Sequence, residues 1–280
     1  MNNAMKRVFK SALVTGASGG IGRATAVELA RRGAESLFLG GRDAARLESA
    51  AAACREAGCP DVRTACVDTL DAKAVDDWIS GADRAAPLDL VFANAGVAAL
   101  DETEENARRV FAVNVEGTLN TVFPALRIFR ARRPSGGHVA ITSSIAGYAP
   151  LAACPAYAAS KAALKAWGLS LRGRLAPEGV CVSVVCPGFV RSGITDRNTC
   201  PMPFFMEADA AARKICDGLS RGKGLVSFPW PMRLASWLLS ILPWRIACRI
   251  SGSLPEKRKS ARQPPPHGQA IPRNRISSAP

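Results

Sequence analysis

The chain has 280 residues, 48% of them apolar, which is enough for one large α/β domain with a full core, or two small ones. Its nine cysteines are irregularly spaced, and His138 and His267 are its only histidines. That argues against a zinc site, a disulfide framework and a Ser-His-Asp hydrolase alike. The net charge of +14 is uneven: residues 221–280 hold eleven Lys or Arg and one acid, Glu256, so +10 of it belongs to an appendage.

Met1 to Lys10 is polar and basic. The apolar run behind it, Ala12-Leu13-Val14, is too short for a signal-peptide core, so the expectation is a cytoplasmic protein with reduced, mostly buried thiols. Residues 10–14 read as a strand and 20–32 as a helix closed by Arg31, Arg32 and Gly33. Strand 36–40 follows, then an Ala-rich helix over 44–57 that stops at Gly58. Residues 62–67 and 88–93 read as the third and fourth strands, and 103–132 as one long helical stretch. Strand 138–142, helix 155–175, strand 180–185, helix 208–221 and a seventh strand over 225–228 complete the series. This alternation predicts a Rossmann-like, doubly wound parallel sheet of about seven strands with helices on both faces, occupying residues 1–228. Unbroken apolar runs such as 180–185 suit strands covered on both sides.

Past Pro229 the character changes. Residues 229–252 form an apolar segment with Trp230, Trp237 and Trp244, bracketed by Arg233, Arg245 and Arg249. Its apolar run is about half of the ~20 residues that a spanning helix needs, and Pro243 interrupts it. Residues 253–280 are rich in Pro, Ser, Lys and Arg, a composition that predicts disorder. Two readings stand for the appendage. One is peripheral contact with an anionic membrane through 229–260; the other is a helix that closes a cleft or packs in an oligomer. No nucleic-acid module pattern accompanies the basic residues.

The run Thr15-Gly16-Ala17-Ser18-Gly19-Gly20-Ile21-Gly22 links the first strand to the first helix. A side-chain-poor turn lets backbone N–H groups approach a pyrophosphate, and the helix N-terminus adds a favourable dipole. A glycine turn without a ligand is the plain alternative. After it come Asn94-Ala95-Gly96 behind the fourth strand, Asn114 in Asn114-Val115-Glu116-Gly117, and Ser144 at the end of Thr142-Ser143-Ser144. Tyr157-Ala158-Ala159-Ser160-Lys161 then places Tyr157 thirteen residues beyond Ser144, and Pro187-Gly188 ends the sixth strand. In this order and spacing, residues 10–228 resemble the compact one-domain short-chain dehydrogenases/reductases.

The resemblance implies an NAD(P)-dependent alcohol dehydrogenase or carbonyl reductase, with reduction of the carbonyl as the favoured direction. Asn114, Ser144, Tyr157 and Lys161 would be its catalytic group. Cofactor-binding positions would be Gly16, Ser18, Gly20, Ile21, Gly22, Arg42, Asp68, Asn94, Tyr157, Lys161, Pro187, Gly188, Val190 and Ser192. No metal is implied. Tyr157 and Lys161 are four apart on a predicted helix and share a face. A free tyrosine, with a pKa near ~10, is a poor acid or base at neutral pH. A nearby ammonium and an oxidised nicotinamide ring are expected to lower that value. Ser144 is placed to orient the substrate oxygen, with Ser143 as a core-facing or turn serine. Asn114 would help to hold a water next to the lysine, or it is simply an asparagine at a helix kink.

After the second strand, Gly41 stands where NAD enzymes usually place an acid, and Arg42 follows. A guanidinium suits a 2′-phosphate, so NADP(H) is expected over NAD(H). The alternative is a solvated Arg42 with Asp43 capping the next helix. Asp68 matches the family's adenine-contacting aspartate. Two departures are conservative: Ala93 stands before Asn94 in place of a second asparagine, and Ser192 replaces a common threonine. The loop 191–207 carries Cys200-Pro201-Met202-Pro203-Phe204-Phe205-Met206 and suggests an apolar or lipid-like carbonyl substrate, or else core packing of a lid. The resemblance also implies a homo-oligomer. A sugar-nucleotide epimerase or dehydratase of the same superfamily and a non-catalytic NADP-binding sensor are the rival functions.

Overall fold

The computed structural model describes residues 7–99, 101–132, 136–196 and 201–252. Seven strands form one sheet: β1 (Ser11–Thr15), β2 (Ser36–Gly41), β3 (Asp61–Cys66), β4 (Leu90–Ala93), β5 (His138–Thr142), β6 (Cys181–Pro187) and β7 (Leu225–Phe228). Their order is β3-β2-β1-β4-β5-β6-β7, and every pairing is parallel. Around them lie α1 (Gly20–Arg31), α2 (Ala44–Glu56), α3 (Ala72–Ala85), α4 (Glu104–Phe111), α5 (Gly117–Ala131), α6 (Pro155–Leu175), α7 (Ala208–Ser220), α8 (Trp230–Ile241) and α9 (Trp244–Gly252). This is the expected doubly wound fold.

Alternation along each strand divides the core into two layers. Ala12, Val14, Leu37, Leu39, Leu90 and Phe92 face α1, α2 and α7, meeting Leu29, Leu47, Ile215 and Leu219. Leu13, Phe38, Val91, Val139 and Ile141 face the other way, against Val75 and Ile79 of α3, Val122 and Phe129 of α5, and Leu164 of α6. Phe92, Phe129 and Leu13 are fully buried. Cutting Phe92 or Phe129 to Ala would cost about 3–5 kcal/mol, and Leu13 about 2–5 kcal/mol. The strand order reverses between β1 and β4, and such a reversal opens a crevice at the C-terminal strand ends.

Three local expectations change. Helix α3 falls in a stretch to which the sequence reading assigned no element. The helix expected over 103–132 is two helices, joined by a π-helical turn at Ala112–Glu116. The appendage is two short helices separated by Pro243, while 253–280 lies outside the described residues. Of the eight described cysteines, Cys54, Cys59, Cys186 and Cys216 are buried, and Cys66 and Cys248 are exposed. The expectation of mostly buried thiols thus holds for half of them.

Candidate active site

The turn after β1 is built for close backbone approach. Gly16 has φ +66°, and a Cβ there would sit 2.9 Å from Ala95 Cα. A Cβ on Gly22 would lie 2.3 Å from the Gly16 carbonyl oxygen. Asn94 locks the turn to β4: its Nδ2 donates to Thr15 O at 3.1 Å, and its own N–H donates to Thr15 Oγ1 at 3.0 Å. Helices α2, α3 and α4 are capped by the side chains of Asp43, Asp71 and Thr103. No side chain caps α1. Its first amides, at Gly20 and Ile21, border the cleft, which suits a bound pyrophosphate.

That cleft, about 830 Å³, also reaches Asn94, Ser144, Tyr157, Lys161, Pro187, Gly188, Val190 and Ser192. Ser144 lies two residues beyond β5, at the start of the 145–147 turn, and accepts from Ala146 N–H at 3.1 Å. Tyr157 and Lys161 project from α6 one turn apart, with Lys161 Nζ 5.7 Å from the Tyr157 ring centre. Nζ donates to the Thr142 carbonyl oxygen at 3.0 Å, which aims the ammonium back at β5. Burial lowers Lys161 to about 8. Burial also pushes the Tyr157 phenol up to about 12, with a Ser144 hydrogen bond pulling the other way. The expected lowering of Tyr157 is therefore not found in the protein alone, because loss of solvent around the oxygen outweighs the Ser144 hydrogen bond. Ser143 is the structural serine, donating to the Lys161 carbonyl oxygen at 2.6 Å.

Asn114 is fully buried in the π-turn. Its Oδ1 accepts from Val97 N–H at 2.8 Å, and its Nδ2 donates to Val97 O and to Ser160 Oγ, both at 3.0 Å. A Cβ on Gly96 would lie 3.1 Å from Asn114 Oδ1 and 3.2 Å from Lys161 Nζ. The asparagine is thus both at a helix irregularity and beside the lysine. Single π-turns are frequent at functional sites, since they re-aim a helical side chain.

At the far end of the cleft, a Cβ on Gly41 would lie 3.4 Å from Ser18 Oγ, and Ser18, Arg23, Arg42, Arg46 and Asp68 line the wall. Arg42 Nη1 lies 3.8 Å from Asp68 Oδ2. Asp43 does cap α2, accepting from Arg46 N–H at 3.0 Å, and Arg42 is free to face the cleft as well. On the opposite side, Ser192 N–H donates to Thr195 Oγ1 at 2.8 Å, and a Cβ on Gly20 would meet Ser192 Cβ at 2.8 Å. Val190 is buried and bridged to Met206, while Arg191 and Glu207 form a two-bonded ion pair at 2.7 and 2.9 Å. The base of the loop 191–207 is pinned by these contacts; residues 197–200 lie outside the described residues.

All the site residues expected from the sequence line this cleft except Gly22 and Asn114, which stand directly behind its lining. Several supporting residues were not expected: Thr15, Thr142, Ser160, Thr195, Arg23 and Arg46. Only Arg23 and Arg46 carried a sequence signal, as cations close to the glycine turn and to Arg42. Among the described residues no His, Cys, Asp or Glu group is placed to hold a metal.

A family model described as short chain dehydrogenase matches residues 10–200. The chain is 39% identical over 243 residues to an uncharacterized oxidoreductase of Myxococcus xanthus, covering 84% of this chain and 93% of that protein. It is 30% identical over 244 residues to 11-beta-hydroxysteroid dehydrogenase-like 4A of Arabidopsis thaliana, covering 84% and 81%. A short chain dehydrogenase/reductase from Burkholderia phymatum, solved in complex with NAD, matches with a TM-score of 0.74 at 26% identity, over 82% of this chain and 92% of that one.

Proposed function

The chain belongs to the short-chain dehydrogenase family, and from that premise we propose that it is an NADP(H)-dependent oxidoreductase interconverting a carbonyl and an alcohol, with Tyr157 as its general acid and base. One observation carries the reading: Ser144, Tyr157 and Lys161 converge on the cleft that the glycine turn and the uncapped end of α1 also line. The residues fit a dinucleotide, with Gly16, Gly20 and Gly22 leaving room at the turn and Ser192 near the far wall. A bound nicotinamide supplies or accepts the hydride.

The protein's own residues handle the oxygen and its proton. Ser144 donates a hydrogen bond to the substrate oxygen and fixes its position. Tyr157, held protonated by burial, gives its proton to that oxygen as the carbonyl carbon is reduced, and takes it back in oxidation. Lys161 steadies the resulting phenolate as an ammonium, and Asn114 holds the Val97 backbone and Ser160 beside it.

Arg23, Arg42 and Arg46 support NADP(H) over NAD(H), since their guanidinium groups suit a 2′-phosphate and no acid ends β2. The substrate class is a small apolar carbonyl compound or alcohol. Val97, Ala98 and Ile194 on the cleft wall favour it, as does the hydroxysteroid in the name of the Arabidopsis relative.

The test is fluorescence titration with NADPH and NADH, followed by turnover on a panel of apolar ketones, for wild type and Tyr157→Phe. The expected result is nucleotide binding by both and turnover reduced about 10²–10⁴-fold in the variant. Turnover unchanged by the substitution would remove Tyr157 from the chemistry. Tight binding with no turnover on any carbonyl or alcohol would favour a sensor.

A further inference from the structure

Helix α8 is apolar on a side that none of the described residues covers. Trp230, Leu234, Trp237, Leu238 and Ile241 follow one helical stripe, and all five are 45–73% exposed. Leu242, Trp244, Ile246 and Ile250 extend the exposed apolar surface through α9. Among the described residues, nine of the seventeen large exposed apolar side chains fall within 230–250. Scattered exposed apolar residues are ordinary, but a concentration like this marks a contact surface. The helix is held from its inner side, where Met232, Ser236 and Leu239 are half-buried and Met232 Sδ would lie 3.0 Å from a Cβ on Gly188.

The charge around this surface has one sign. Arg233, Arg245 and Arg249 are exposed along it, and no Asp or Glu occurs from residue 218 to 252. The sequence beyond it, 253–280, adds six Lys or Arg against the single Glu256. We propose that the α8–α9 face docks the protein on an anionic lipid bilayer, lying in the plane of the headgroups. Trp230, Trp237 and Trp244 suit that depth, where an indole ring meets both lipid and water. Basic residues beside an apolar stripe add attraction to anionic lipid. No helix among the described residues is long and apolar enough to cross a membrane, so the contact lies on the surface. A second copy of the chain fits less well, because a two-fold interface through this face would bring Arg233 and Arg245 towards their own copies, and no Asp or Glu occurs from residue 218 to 252 to pair with them. Docking would also leave the cleft wall at Gly188 one helix away from lipid, as α8 packs on both Gly188 and the 145–147 turn.

Docking requires neither bound nucleotide nor turnover, so it and the proposed activity fail separately. The experiment is co-sedimentation of the full chain with vesicles of phosphatidylcholine alone or mixed with phosphatidylserine, read together with tryptophan emission. The expected result is at least ~10-fold more binding to the mixed vesicles, a blue-shifted emission, and release at high salt. Trp237→Ser with Leu238→Ser should abolish binding, and Arg233→Gln with Arg245→Gln should remove the preference for anionic lipid, both with an unchanged melting temperature. Vesicle binding that survives the Trp237/Leu238 pair overturns the proposal. So does a dimer in light scattering that the same pair splits into monomers while wild type ignores vesicles, which would assign the face to a second copy.

Discussion

The guanidinium of Arg42 and the carboxylate of Asp68 face each other at 3.8 Å across the end of the cleft, with side-chain exposures of 59% and 44%. At that distance and exposure the pair contributes little to stability. It leaves Arg42 available to an incoming phosphate, at the cost of only a weak contact. Arg42→Ala should therefore weaken NADPH binding about 10–100-fold, the worth of one charge-assisted contact, and change NADH binding little. Parallel titrations of both nucleotides check this; equal weakening of the two would remove Arg42 from the 2′ position.

Lys161 sits near 8 because of burial, so it is charged at neutral pH and loses its proton just above. Its ammonium favours the phenolate left on Tyr157 after proton donation. The kcat/KM for carbonyl reduction, which reports the free enzyme, should fall as pH rises through about 8. Lys161→Met should lower kcat/KM about 10²-fold and abolish that limb of the profile. A limb that persists in the variant belongs to another group.

Asn114 satisfies both backbone groups of Val97 and the Ser160 hydroxyl inside the protein. Asn114→Ala would leave these groups without that partner. Urea unfolding should show a loss of roughly 2–4 kcal/mol, the cost of a few buried unpaired groups. A loss under ~0.5 kcal/mol would mean that the strand end relaxes to find new partners.

His138 is the one described histidine, buried in β5, with Nε2 2.8 Å from Ser183 Oγ. Ser183 Oγ donates to the Lys223 carbonyl oxygen, so it accepts from His138, whose proton is therefore on Nε2. Burial lowers this imidazole to about 3, well below its ordinary value. The unfolded chain then holds the extra proton first. Stability should fall as pH drops from about 6.5 towards 3, by up to about 1.4 kcal/mol per pH unit from this group. His138→Gln, which keeps a donor for Ser183, should flatten the slope in urea melts between pH 7 and 5. An identical slope in the variant would assign the effect to carboxylates.

The parts of the site legible in the sequence are those set by local spacing. Gly16 to Gly22 announce a strand-turn-helix by composition, and Tyr157 with Lys161 share a face because a helix repeats every ~3.6 residues. Thr142 and Ser160 could not be found that way, since their roles arise only when distant strands and helices meet. Helix α3 was open to detection, with Val75, Ile79 and Ala82 at helical intervals between Asp71 and Ala86. Its buried face is so narrow that the charged residues around it, Lys73, Asp76 and Asp77, dominate the composition. The direction of the Tyr157 shift was beyond reach, because it depends on how completely the packed protein excludes water from one oxygen.

The π-turn at Ala112–Glu116 works as a phase shifter. It adds one residue to a turn and so advances everything before it by about 100° around the axis relative to a plain helix. Val110 of α4 and Thr118 of α5 both reach the interior, with Asn114 buried between them. Deleting one residue from 112–116 would heal the hydrogen-bond ladder and bring α4 into continuous register with α5. The gain in helical regularity would swing Val110 out of the core and Asn114 away from Val97. An irregularity that local energetics disfavours is thus what lets one length of chain serve the core and the lysine together.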